Sequence, residues 1–155
     1  MLDTSMIDKT LNEFLVPFEC HALLGKEFSY DDSDNTIAYA VAVETSSNQE
    51  FLESVYNFHK PQVKCDVFLW SLLHEIGHHN TLYYFEDWEL DKYIALRSKI
   101  EKGVVPREAY YRCDVEWDAT EWAVKYANTH QNKLKKQWEK IQNSLMTFYK
   151  SVGVI

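Results

Sequence analysis

The chain has 155 residues, 46% of them apolar and 15% aromatic, which suits one domain over residues 1–155 with its own core and excludes a disordered chain. Its formal charge is −8, with no basic cluster before Lys133, Lys135 and Lys136, so direct nucleic-acid binding is not expected. The longest apolar run, Ile37 to Val43, is too short to span a bilayer, and Met1 to Cys20 carries Asp3, Asp8 and Glu13 in place of a signal-peptide core. Cys20, Cys65 and Cys113 are far apart and form no CxxC pair, which excludes a zinc ribbon and favours a reducing compartment. A soluble cytoplasmic protein with no membrane partner is expected.

Along the chain, Ile7, Leu11, Phe14 and Leu15 keep helical spacing, and Pro17 ends that helix. From Ala22 to Val43 the pattern is that of strands, with Asp31-Asp32-Ser33-Asp34-Asn35 as a hairpin turn. Ile37, Tyr39, Val41 and Val43 share one face of the second strand, and Ala38, Ala40 and Ala42 share the other. Ser47-Asn48-Gln49-Glu50 has capping-box spacing and opens a short helix that ends before Pro61. The next helix runs from about Cys65 to His79, with Leu69, Leu72, Leu73 and Ile76 as its buried stripe and Asn80 as its stop. A helix over Asp87 to Lys102 closes at Gly103, and Pro106 starts a long helix to about Asn128. Thr129 begins the last helix, whose Leu134, Trp138, Ile141, Leu145 and Phe148 trace an apolar stripe. Its lysines, Lys140 included, read as a solvated face. The fold class is α+β, mostly helical with a small sheet near the N-terminus.

The stretch His74-Glu75-Ile76-Gly77-His78 is an HExxH motif on a helix. Histidines four residues apart lie one above the other, so both imidazoles can reach one tetrahedral Zn²⁺ at roughly 2.0–2.1 Å. Glu75 falls beside that row, where its carboxylate can take a proton from the attacking water. Two histidines do not complete such a site, and the carboxylates Glu86, Asp87, Asp114, Glu116, Asp118 and Glu121 are the candidates for a third ligand. Ala119, Ala123 and Ala127 form a stripe of small residues that lets two helices approach closely, and Glu116 heads it. Asp118 is rotated about 200° from Glu116, and Asp114 and Glu121 are poorly placed for the stripe. Glu116 is therefore the chosen ligand. Thr120, one turn later, can hydrogen-bond a ligand histidine or the carboxylate from behind.

Taken together, His74-Glu75-Ile76-Gly77-His78 and Glu116-Trp117-Asp118-Ala119-Thr120-Glu121-Trp122-Ala123 resemble the ImmA/IrrE-type metallopeptidases, which carry HExGH and then a helix of the form ExxA(N/D)x(F)A. The resemblance covers roughly Ile37 to Ala127. It implies a compact zincin-like domain with the small sheet packed beside the HExxH helix. It also implies zinc on two histidines and one glutamate, with the HExxH glutamate as general base. Members of that family include proteases that cleave repressor proteins. Thr120 departs from the family's Asn or Asp, and a whole extra helical segment lies between His78 and Glu116 as a cover over the cleft. No helix-turn-helix is apparent, so a repressor partner would be a separate protein.

The remaining candidates are weaker. His79 points about 100° away from His78 and reads as a surface residue. His21, His59 and His130 are isolated, with His130 the nearest to the second motif. Tyr110, Tyr111 and Tyr126 can supply an oxyanion donor by type, but core or surface packing suits each of them better. Thr36 to Val43 is the candidate edge strand for pairing with extended substrate, its alanine face packing on the helix. The expected activity is that of a zinc metalloendopeptidase, acting on a specific cytoplasmic protein or peptide such as a transcriptional repressor. The competing expectation is a non-catalytic zinc-binding or partner-binding protein on the same scaffold.

Overall fold

The structure is a computed structural model and describes residues 3–153. It is α+β and mostly helical. Helix α1 spans Ser5–Leu15 and buries Ile7, Leu11, Phe14 and Leu15, the apolar positions read from the sequence. Pro17 sits in the 3-10 turn Val16–Phe18 that follows, and Glu19 (φ 59°) reverses the chain into the sheet.

Three short strands follow: β1 (His21–Leu24), β2 (Ser29–Asp31) and β3 (Thr36–Tyr39). Strands β2 and β3 form the expected hairpin, with Asn35 in the left-handed region (φ 56°). The sheet order is β1-β3-β2, with β1 parallel to β3, so Thr36–Tyr39 is the central strand and not an edge. This corrects the assignment of Thr36 to Val43 as a substrate-pairing edge: its backbone already bonds on both sides, and the strand ends at Tyr39. The alanine face does not pack on the helix either. Ile37 and Tyr39 are fully buried, and the Tyr39 ring lies 6.4 Å from that of Phe68 on the following helix. The large apolar face wins that position because it removes more surface from water.

Helix α2 (Ser46–Ser54) starts two residues before the expected capping box, because the Thr45 hydroxyl accepts the Asn48 N–H and serves as N-cap. A π-helical turn, Val55–His59, carries the chain to Lys60 in the left-handed conformation, just before Pro61. Helix α3 (Val67–Thr81) is capped by the Asp66 carboxylate and runs past Asn80, whose side chain bonds back to the Ile76 carbonyl instead of stopping the helix. Phe68 to His78 is buried without interruption. Helix α4 (Asp87–Glu101) carries a Glu86/Glu89 capping box and closes at Gly103 (φ 73°).

The long helix expected from Pro106 is two helices, α5 (Glu108–Arg112) and α6 (Asp114–Thr129). Cys113 is extended (ψ 150°), and its carbonyl accepts the Trp117 N–H, so it starts α6 with Asp114 and Glu116 in the first turn. Acidic residues in that first turn interact favourably with the positive end of the new helix. Helix α7 (Gln131–Ser151) buries Leu134, Ile141, Leu145 and Phe148, with Trp138 half-buried and its lysines in solvent.

One apolar cluster joins α1, the sheet, α3, α6 and α7. The tightest contact in it is between α3 and α6. A Cβ added to Gly77 would stand 2.2 Å from the Ala119 carbonyl oxygen, so only glycine fits. No helix among the described residues is long and apolar enough to cross a membrane.

In an open helix, Gly→Ala would stabilise by up to about 1 kcal/mol. Here the added methyl meets backbone that cannot swing aside, so Gly77→Ala should destabilise by about 1–3 kcal/mol. Denaturant unfolding of the two proteins measures this, and a gain in stability would contradict the α3–α6 contact.

Candidate metal centre

Helix α3 presents His74 and His78 one turn apart on the side that faces α6, and their rings meet edge to face at 4.7 Å between centroids. Glu116 enters from the first turn of α6. It is 3% exposed, with Oε1 3.0 Å from His74 Nε2 and Oε2 3.0 Å from His78 Nε2. The three ligand-type atoms lie within 4.8 Å of one another, all on buried residues. This group can hold a metal ion.

The donor set fits a cation of intermediate softness. Two imidazole nitrogens and one carboxylate oxygen are three protein ligands, which leaves a position open toward the cleft. Thr120 Oγ1 lies 2.9 Å from His74 Nδ1, so of the two partners read for it from the sequence, a histidine or the carboxylate, it takes the histidine. With a metal bound, Nδ1–H donated to Thr120 would leave the Nε2 lone pair free for the cation. His78 has no matching support: its buried Nδ1 finds no hydrogen-bond partner among the described residues.

The electrostatics describe a buried site that holds positive charge. Burial alone would raise the Glu116 carboxyl, but the charge of His78 and hydrogen bonds from His74 and His78 hold it well below its ordinary 4.5. Burial likewise opposes a charged His78, and the Glu116 carboxylate overcomes it, raising the imidazole from 6.5 to about 9. Glu75 lines the same cleft and is raised above 4.5, first by burial, with the two imidazoles pulling the other way.

The cleft in front of the triad has a volume of about 420 Å³. Its walls come from Glu27 to Tyr30 on the β2 side, from Asn48 and Phe51 of α2, and from Tyr93 and Arg97 of α4. Tyr110 and Tyr111 of α5 complete them. The sequence reading did not single out Tyr93. Its hydroxyl donates to Glu116 Oε2 at 2.6 Å, and burial followed by the Glu116 charge keeps it protonated, with its pKa raised. Tyr110 stacks beside it at 6.4 Å and is also raised, mainly by burial. The only signal for Tyr93 in the sequence was its place on the extra segment, which does not distinguish it from the other tyrosines.

The other candidates lie elsewhere. Tyr126 stacks on Trp122 and on His130, and His130 bonds the Tyr126 carbonyl, so neither lines the cleft. His59 packs on Trp117 and meets Glu121 at 2.5 Å, which removes that carboxylate from the site. His79 is half-buried, and its Nδ1 lies 2.8 Å from the Tyr30 hydroxyl, tying β2 to α3. Glu86, Asp87, Asp114 and Asp118 are exposed, with Glu86 engaged in capping α4. In comparison with known proteins, no family model matches the chain, and no curated protein or solved structure matches it either.

The raised His78 gives the site a pH signature. A group whose folded pKa lies above its unfolded value stabilises the fold fully below the unfolded value, here 6.5, and loses that contribution as pH rises through about 9. At neutral pH the metal-free site therefore carries a proton on His78 that a cation must displace. Calorimetric titration with zinc near pH 7, in buffers of different ionisation enthalpy, should read release of roughly one proton per ion. The release should fall away as pH approaches about 9, and a pH-independent value would contradict the His78–Glu116 pairing.

Proposed function

We propose that this protein is a zinc-dependent metallopeptidase with a zincin-like site, in which His74, His78 and Glu116 hold the metal and Glu75 is the general base. The observation that carries this reading is the convergence of His74, His78 and Glu116 on one buried point at an open cleft that Glu75 also lines. Zinc bound there would supply Lewis-acid polarisation of the scissile carbonyl and of the attacking water.

The chain's own residues do the rest. Glu75 takes a proton from water as its oxygen adds to the carbonyl carbon, then delivers that proton to the leaving nitrogen as the C–N bond breaks. Thr120 fixes the His74 ring, and burial keeps competing water from the ligand side of the site. Strand β2 is the sheet edge beside the cleft, with Glu27 to Tyr30 on its wall. An extended peptide can add to that edge through main-chain hydrogen bonds. The edge-binding idea thus moves from β3 to β2.

The resemblance of the two motifs to the ImmA/IrrE-type peptidases supports a cytoplasmic protein substrate such as a repressor. A second reading, a partner-binding protein that keeps the metal for its fold, is favoured by the exposed Tyr83, Tyr84, Trp88 and Ile94 around α4.

Zinc-loaded protein incubated with a proteome-derived peptide library should generate new peptide termini, detected by mass spectrometry. Glu75→Gln should retain about one zinc per chain while losing at least about 10²-fold in turnover. Retained hydrolysis in that variant would sink the mechanism, and zinc binding without any cleavage by the wild type would favour the second reading. Glu116→Ala should weaken zinc binding markedly, measured against a competing chelator. Unchanged affinity would remove Glu116 from the ligand set.

A further inference from the structure

Glu116 is the sole carboxylate among the three metal-ligand candidates, and its orientation in the metal-free site depends on hydrogen bonds at both oxygens. Oε1 faces His74 Nε2, and Oε2 faces His78 Nε2, each at 3.0 Å. Those two nitrogens are the atoms a cation would take. Once they bind metal they no longer donate to Glu116, and the carboxylate needs a donor from outside the triad to keep its setting.

Tyr93 is that donor. Its hydroxyl reaches Oε2 at 2.6 Å from α4, a different element from those that carry the triad. The ring is held on one side by Tyr110, stacked with 27° between planes, and Arg97 from the next turn lies 5.8 Å from its centroid. Helix α4 has no fully buried residue; Leu90, Tyr93, Leu96 and Ile100 form its half-buried inner side, and this hydrogen bond ties that side to the cleft.

We propose that Tyr93 is a positioning residue for Glu116: its hydroxyl holds Oε2 toward His78, so the carboxylate is preset to bind a metal ion together with the two histidines. The proposal rests on the metal reading above and deepens it. A carboxylate left without such a donor can rotate about its terminal bonds and bind less tightly, and removing a group of this kind lowers metal affinity by about 10–100-fold.

The test uses the full chain stripped of metal, titrated with zinc against a chromophoric chelator and separately with cobalt(II), read by its visible absorption. Tyr93→Phe keeps the ring and removes only the hydroxyl. It should bind zinc about 10–100-fold more weakly and shift the cobalt bands, with unchanged helix content by circular dichroism in the metal-free protein. Tyr126→Phe, whose ring stacks on Trp122 away from the cleft, should match the wild type in all three readings. Equal affinity and superimposable cobalt spectra for Tyr93→Phe would overturn the assignment. Loss of helix content in that variant would do so too, since the role would then be structural. Wild type that takes up neither ion would sink the metal reading itself, an outcome distinguishable from any failure of the variant alone.

Discussion

The close approach of α3 and α6 at Gly77 and Ala119 is the contact on which the rest of the structure depends. With the backbone of one helix against the other, Glu116 on α6 stands within 3.0 Å of both His74 and His78 on α3. A carboxylate side chain is short, so a separation of even one methyl group between the helices would open those distances. The alanines at 119, 123 and 127 continue the same thin seam away from the site, all three buried. Packing and chemistry therefore share one requirement. The glycine in the middle of the HExxH motif contributes no chemical group, yet it determines whether the motif's histidines meet their third partner.

The same proximity creates an electrostatic problem that the site resolves by sharing charge. A buried carboxylate among apolar neighbours would be driven to protonate. Two imidazoles at 3.0 Å reverse that, so Glu116 stays ionised and His78 holds a proton well above its usual range. The metal-free centre thus holds a proton at the point where a metal ion could bind. A divalent ion that replaces it gains the preset ligands and loses the proton's stabilisation, so affinity must rise with pH over the neutral range. The unsupported Nδ1 of His78 makes that ring the less constrained of the two, while Thr120 and Tyr93 fix the neighbours on either side of it.

Much of this site was legible in the sequence because it is carried by helices, whose phase can be counted. The four-residue spacing of the histidines, the alanine stripe and the position of Glu116 at its head follow from 3.6 residues per turn. So does Thr120, which lies one turn beyond Glu116 and reaches His74. What phase cannot give is order in a sheet or the meeting of elements far apart. Strand β3 read as an outer strand because its alternation is the same whether it has one neighbour or two, and the parallel partner β1 lies on the far side of the hairpin in sequence. The break at Cys113 was obscured by a helical apolar pattern on both sides, although Asp114 and Glu116 carry the signature of a new first turn. Tyr93 was invisible for a further reason: its partner is 23 residues away on another helix, and no periodicity links them.

The break at Cys113 has a consequence for the cleft as well. In a continuous helix, Tyr110 and Glu116 would be separated by six residues, about 120° apart on the surface, and could not face one point. The extended residue between α5 and α6 resets the phase, so that Tyr110 and Glu116 both line the cleft. Helix α4 then closes over this arrangement with Tyr93 and the half-buried Leu90, Leu96 and Ile100 on its inner side, leaving Trp88 and Ile94 in solvent. With no fully buried residue, α4 draws less hydrophobic energy from its docking than α3 or α6 does. The cover therefore meets Glu116 through the Tyr93 hydroxyl, while the three residues that could hold a metal ion stay fixed by α3 and α6.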